Sequence, residues 1–143
     1  MISFTGMKEI PTIFLVDDDD DDRFFIREAL EKIVTQIKVL EFTNGPDFLH
    51  KVMQTGVDLS TCLVLLDINM PMMSGLEVIV KLKSYQKFKG LSVLVLSTAT
   101  HPKVIEDSIA AGASGYFVKP SSPSGLHQLA SDVMKYFTSE LPG

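Results

Sequence analysis

Short apolar runs alternate with amphipathic stretches along this chain. Residues 12–16 (TIFLV) form a nearly continuous apolar run, and six aspartates at 17–22 stop it. Ile26, Ala29, Leu30 and Ile33 then recur at helical spacing, which predicts a helix over 20–34. Residues 37–42 read as a second strand. After the turn chemistry of Asn44, Gly45 and Pro46, a second helix presents Phe48, Leu49, Val52 and Met53 on one face and stops at Gly56. Residues 62–66 (CLVLL) are the most apolar run of the middle section, and Asp67 closes it. A turn-rich NMPMMSG leads into a helix with Leu76, Ile79 and Leu82 on its inner face. Residues 93–96 make a fourth strand. A fourth helix begins near Pro102, turns Val104, Ile105, Ser108 and Ile109 inward, and ends at Gly112. Residues 116–118 make a short fifth strand, and Pro123 opens a last helix carrying Leu126, Leu129, Val133 and Phe137.

Buried strands separated by helices predict a parallel sheet covered on both faces. The expected fold is α/β: a (βα)5 doubly wound, five-stranded parallel sheet in one domain over 11–139, with weakly ordered ends at 1–10 and 140–143. At 143 residues, 45% hydrophobic and 22% charged, the chain can bury a core without disulfides. A net charge of −5 offers little positive field for nucleic acid. The single cysteine, Cys62, excludes an intramolecular disulfide and a multi-cysteine metal site, and suits a reducing compartment. No apolar run reaches the ~18 residues a membrane span needs, and the first eleven residues lack the features of a secretory signal. A cytoplasmic location is expected.

Open parallel sheets bind ligands beyond the carboxyl ends of their strands. Those ends carry Asp17 and Asp18 after the first strand, Asp67 after the third, Ser97 after the fourth and Lys119 after the fifth. Aspartates at the first turn would repel the phosphate of a flavin or dinucleotide, and neither GxGxxG nor GxxxxGK[ST] occurs. His50, His101 and His127 fall on different elements and read as surface residues. Two carboxylates ~4 Å apart repel by about 1 kcal/mol in water and about 4 kcal/mol at an effective dielectric of 20. Three at one sheet edge need protonation or a divalent cation, and an all-oxygen, partly hydrated site suits Mg²⁺. Such a cation would bridge the acids and an incoming phosphoryl group, with Lys119 and Ser97 on further phosphoryl oxygens.

These residues resemble those of the response-regulator receiver domain, the CheY-like (flavodoxin-like) phosphoacceptor of two-component signalling. IFLVDD (13–18) is similar to its first strand and acid pair, and LVLLDINMPMMSG (63–75) to its acceptor strand and loop. VLVLSTAT (93–100) and GASGYFVKP (112–120) resemble the segments bearing its hydroxyl and its lysine. The spacings of 30 residues from Asp67 to Ser97 and 22 from Ser97 to Lys119 agree with the family. The resemblance implies that Asp67 accepts a phosphoryl group, with Mg²⁺ held by Asp17, Asp18, Asp67 and the main-chain carbonyl of Asn69. It implies that Ser97 and Tyr116 switch with Lys119, that Lys119–Pro120 is a cis peptide, and that water later removes the phosphate past Asn69 and Ala99. Implied partners are a sensor histidine kinase (a phytochrome kinase among the possibilities) or a histidine phosphotransfer protein, and a separate downstream target. No output or DNA-binding domain follows residue 143, so a stand-alone regulator is expected, monomeric or dimerising on phosphorylation, and not an enzyme beyond its own phosphoryl transfer and dephosphorylation.

Two departures stand out: serine where threonine is commoner at 97, and an aspartate run reaching Asp22, which leaves the metal ligands among Asp17, Asp18 and Asp19 less defined. Asp20, Asp21 and Asp22 are read as first-turn acids favoured by the helix dipole, not as ligands. Tyr116 could also be core packing; Met70, Met72 and Met73 read as a soft apolar loop that covers the site or fills gaps, and Cys62 as a small core residue. One rival is an aspartate-nucleophile phosphatase of the haloacid-dehalogenase type, using Asp17 and Asp19. Another is an interaction module that is never phosphorylated.

Overall fold

A computed structural model describes residues 10–56, 58–98 and 101–138; the expected loose ends lie, except for Ile10, outside the described residues. Five strands, β1 (Thr12–Val16), β2 (Lys38–Phe42), β3 (Cys62–Asp67), β4 (Ser92–Ser97) and β5 (Gly115–Val118), alternate with α1 (Asp20–Ile33), α2 (Gly45–Gln54), α3 (Gly75–Lys83), α4 (Pro102–Ala111) and α5 (Pro123–Thr138). All pairings are parallel, in the order β2-β1-β3-β4-β5. The fold is the expected CheY-like doubly wound sheet.

The period of two along each strand builds two cores. Phe14, Val16, Val64, Leu66, Val93 and Val95 face Phe48 and Val52 of α2 and Val78, Ile79 and Leu82 of α3. Ile13, Leu15, Leu63, Leu65, Leu94 and Leu96 face Ile26 and Leu30 of α1 and Leu129, Val133 and Phe137 of α5. Strands covered on both sides are why the runs read as apolar without alternation. Two short 3-10 turns, Leu59–Thr61 and Gln86–Phe88, had no period to announce them; the second places Phe88 in the core. No helix among the described residues is long and apolar enough to cross a membrane.

Three expectations are corrected. The second helix ends at Gln54 with Thr55 as its cap, not at Gly56. On α4 the inward stripe is Val104, Ser108 and Ala111, and Ile109 is 48% exposed. Each residue turns the helix by about 100°, which carries Ile109 off the stripe that Ser108 occupies. Buried Ser108 satisfies its hydroxyl locally by donating to the Val104 carbonyl at 2.8 Å. Lys119–Pro120 is not cis: the described residues contain no cis peptide. A trans bond is intrinsically favoured by about 0.5–1 kcal/mol, and Lys119 reaches the acids from it.

Candidate functional site

The carboxyl edge of β1 and β3 is held by backbone bonds that leave the aspartate side chains pointing off the sheet. The Asp17 N–H donates to the Phe42 carbonyl at 3.0 Å, and its own carbonyl accepts from Arg23 Nη1 at 2.7 Å. Arg23 is fixed in turn by ion pairs to Asp20 and to Glu41. Beyond Asp67, the Ile68 N–H donates to the Leu96 carbonyl at 3.3 Å and the Gly75 N–H returns to the Ile68 carbonyl at 2.9 Å. That return requires glycine: a Cβ at Gly75 would stand 2.5 Å from the Asp67 carbonyl oxygen and 2.7 Å from the Ile68 Cα. Ser74 then caps α3 by accepting from the Glu77 N–H at 3.2 Å. Between these anchors Met72 adopts φ 70°, in a tight turn closed by Met73 N–H to the Pro71 carbonyl at 2.8 Å. Met70 and Met73 pack on the core, filling space there, while Met72 is exposed.

At this edge the sequence-predicted acids converge. One carboxylate oxygen from each of Asp17, Asp18 and Asp67 lies within 4.8 Å of the others. Asp17 is 1% and Asp67 5% exposed, whereas Asp18 faces solvent. Lys119 Nζ lies 2.7 Å from Asp17 Oδ2, 2.8 Å from Asp22 Oδ2 and 3.4 Å from Asp67 Oδ2. The Asp17 contact is a charge contact without directed hydrogen-bond geometry, so the buried Oδ2 has no hydrogen-bond donor. Asp17 Oδ1 accepts from the Asp19 N–H at 2.9 Å and Asp67 Oδ1 from the Asn69 N–H at 3.1 Å.

The hydroxyl arrives from β4. Ser97, the last and fully buried residue of that strand, accepts a long hydrogen bond from Asn69 Nδ2 at 3.4 Å. Its carbonyl accepts from the Lys119 N–H at 2.9 Å, tying the ends of β4 and β5 together. Tyr116 stands apart: it lies opposite Val95 on β5 and packs, half-buried, against the core under α2, α3 and α4. Ala99 lies outside the described residues. His50, His101 and His127 are exposed as expected, and Cys62 is buried.

Burial pushes the Asp67 carboxyl up to about 6; the Asp17 charge adds to that, and the Asn69 N–H and Lys119 oppose it. For Lys119 burial acts to lower the pKa, but the close carboxylates of Asp17 and Asp22, with Asp67 beyond them, outweigh it and hold the ammonium well above its ordinary value. Three carboxylates contact one ammonium and Asp18 adds a fourth negative charge beside them, which leaves excess negative charge, and the buried Asp17 Oδ2 has the ammonium near it but no hydrogen-bond donor. The donor set is all oxygen. These residues fit a small divalent cation.

One site residue is missed by sequence reasoning. Asp22 does sit in the first turn of α1, but its carboxylate reaches Lys119 instead of only serving the helix dipole. The signal was present in the helical offset: Asp22 lies on the same face as Ile26, the first buried residue of α1. Asp19, by contrast, is an exposed N-cap accepting from the Asp22 N–H at 2.9 Å.

The sequence matches a family model for the response regulator receiver domain over residues 13–131. Chemotaxis protein CheY1 of Helicobacter pylori is 28% identical over 116 residues, which is 81% of this chain and 90% of that protein. The nitrate/nitrite response regulator protein NarL of Escherichia coli is 32% identical over 133 residues, 89% of this chain and 58% of NarL. Among solved structures, the phosphorylated cyanobacterial phytochrome response regulator RcpA is 28% identical with a TM-score of 0.81, covering 94% of this chain and 98% of that one. The Mn²⁺-bound response regulator Rcp1 is 21% identical with a TM-score of 0.78, covering 92% and 97%, and shares the fold. An acidic cluster at the ends of β1 and β3, the Lys119 contact and this family match agree: the chain belongs to the response regulator receiver domains of two-component signalling.

Proposed function

We propose that Asp67 accepts a phosphoryl group from the phosphohistidine of a sensor histidine kinase or histidine phosphotransfer protein, and that the phosphorylated chain controls a separate partner. The observation that carries this is Asp67 itself: a buried carboxylate 3.4 Å from a buried ammonium and clustered with Asp17 and Asp18. An Asp67 carboxylate oxygen attacks phosphorus, the phosphorus–nitrogen bond breaks, and the electron pair leaves with the imidazole. Asp17, Asp18, Asp67 and the main-chain carbonyl of Asn69 would hold Mg²⁺, which when bound supplies positive charge to the transferring oxygens. Lys119 provides a fixed cation for the same oxygens, and the buried Ser97 hydroxyl is a donor at the end of β4.

The acyl phosphate carries more negative charge than the carboxylate it replaces. Ser97 and Lys119 gain contacts in that state alone, which biases β4, α4 and β5 toward a second arrangement that a partner prefers. Tyr116, half-buried beside Val95, follows the Ser97 hydroxyl inward in this reading. Water attack on phosphorus beside Asn69 returns the carboxylate, so the chain turns over its own phosphate and no other substrate. The RcpA match supports a phytochrome-type kinase as one source of phosphate. The setting is the cytoplasm, in keeping with a single, buried cysteine.

Incubation with Mg²⁺ and labelled acetyl phosphate, followed by peptide mapping, tests the reading. Acid-stable, base-labile label on Asp67 is expected. Label on Asp17 would favour the phosphatase rival, and no label at any site would leave a constitutive interaction module.

A further inference from the structure

Lys119 is shared unequally. Its ammonium sits 2.8 Å from Asp22 but 3.4 Å from Asp67, so a first-turn residue of α1 holds the amine more closely than the proposed phosphoacceptor does. Asp22 is partly exposed, at 39% for its side chain, and Lys119 is 11% exposed, so the pair is half-screened and breakable. α1 is fixed beneath Asp22 by Ile26 and Leu30 in the core and by Arg23, which donates to the Asp17 carbonyl. Asp22 therefore cannot follow the ammonium if it moves toward a phosphoryl group on Asp67.

We propose that Asp22 is a positioning residue that tethers Lys119 on the α1 side of the site and competes with the phosphoryl group for its ammonium. The inference rests on the phosphoacceptor reading above. Its consequence is a threshold: each phosphorylation exchanges the Lys119–Asp22 ion pair for a Lys119–phosphoryl contact. Removing the tether favours the phosphorylated arrangement without touching the reacting atoms. Asp18 faces the same cation site but makes no ion pair with Lys119, and Asp20 pairs with Arg23 instead, which leaves Asp22 as the tether contributed by α1.

The test is calorimetric titration with beryllofluoride, a mimic of the acyl phosphate, at saturating Mg²⁺. Asp22→Asn is expected to bind it roughly three- to fivefold more tightly than wild type, the scale of a partly screened ion pair. Asp22→Glu, which keeps the charge, should stay close to wild type, and Asp21→Asn, which removes the same charge from the same turn, should not tighten binding. In a Lys119→Ala background the Asp22→Asn gain should vanish, as coupling through the amine requires. A helix-capping role alone would alter thermal stability and leave the beryllofluoride affinity unmoved. Unchanged affinity in Asp22→Asn, or an equal gain in the Lys119→Ala background, overturns the tether while leaving the phosphoacceptor reading intact. Failure of the wild-type chain to bind beryllofluoride overturns that reading and the tether together.

Discussion

The two halves of the sheet's carboxyl edge are built to different standards. At β1 and β3 every strand residue is buried, Asp17 and Asp67 are enclosed, and Gly75 brings the following helix against the Asp67 backbone. At β4 and β5 only the first of the two strands is buried; Val118 is 50% exposed, and α4 contributes one fully buried residue, Ser108. In the proposed reading, the chemical half is the closely packed one, where a phosphoryl group would be received in one geometry. The half that carries Ser97 and Lys119 is more lightly packed at α4 and β5, which under the proposed switch would leave less to break if those side chains changed partners. A rearrangement driven by a few new hydrogen bonds, each contributing about 0.5–1.5 kcal/mol, is affordable only on that side.

The largest effect that would sharpen the contrast is at Asp67. Asp67→Asn keeps the shape, removes the nucleophilic oxygen pair and should abolish labelling by acetyl phosphate altogether. Its far-ultraviolet circular dichroism should match wild type. Persistent base-labile label in this variant would place the acceptor elsewhere. Next comes Lys119→Ala, which is expected to leave divalent-cation affinity near wild type, since Asp17, Asp18 and Asp67 remain. It should also remove the chemical-shift changes that the proposed phosphorylation is expected to cause in α4 and β5. If α4 responds unchanged, the ammonium is not the link between the halves.

Packing offers a third way to break the comparison. A methyl at Gly75 must displace the Asp67 carbonyl or the Ile68 Cα. Gly75→Ala should therefore destabilise by about 1–3 kcal/mol in urea unfolding, the usual range for overpacking. Ile109→Ser on the exposed face of α4 should change stability by less than about 0.5 kcal/mol. Equal costs at the two positions would erase the distinction between a rigid and a compliant half.

How far the sequence announced this division depends on which interactions carry a period. Strands covered on both faces appear as unbroken apolar runs, so β1, β3 and β4 were readable to within a residue, and with them the edge at which Asp17, Asp67, Ser97 and Lys119 meet. The inner face of α4 was misread at Ile109 because a lightly packed helix needs only a narrow stripe, and three apolar residues around Ser108 offered more than one. Phe88 entered the core from a 3-10 turn too short to show a repeat. Asp22 was absorbed into a run of six identical residues, where composition suggests a solvated helix start and only the rotation of α1 singles one out. The trans geometry at Lys119–Pro120 could not be read from residue types, since both isomers are accessible to proline.

A last effect, confined to a narrow pH window, follows from burial of charge in the rigid half. The Asp67 carboxyl titrates near 6 in the folded chain against about 3.9 when unfolded, so between those values the folded state binds more protons. The contribution of this carboxyl to stability therefore falls as pH rises from about 4 to about 6 and is then flat, because above both values each state has lost the same proton. A shift of about two units bounds the loss at roughly 3 kcal/mol, and relief from neighbouring groups brings it lower. Lys119, whose pKa is raised, stays protonated throughout this window and adds no slope. Urea unfolding at a series of pH values, in the presence of a chelator, should show this decline in wild type and not in Asp67→Asn, so the difference between the two curves isolates the one carboxyl. Saturating Mg²⁺ should reverse the loss at neutral pH by binding the ionised form. A difference curve that is level from pH 4 to 7 would mean that Asp67 is better solvated than its enclosure between β1, β3 and Lys119 implies, and the rigid half would lose its defining strain.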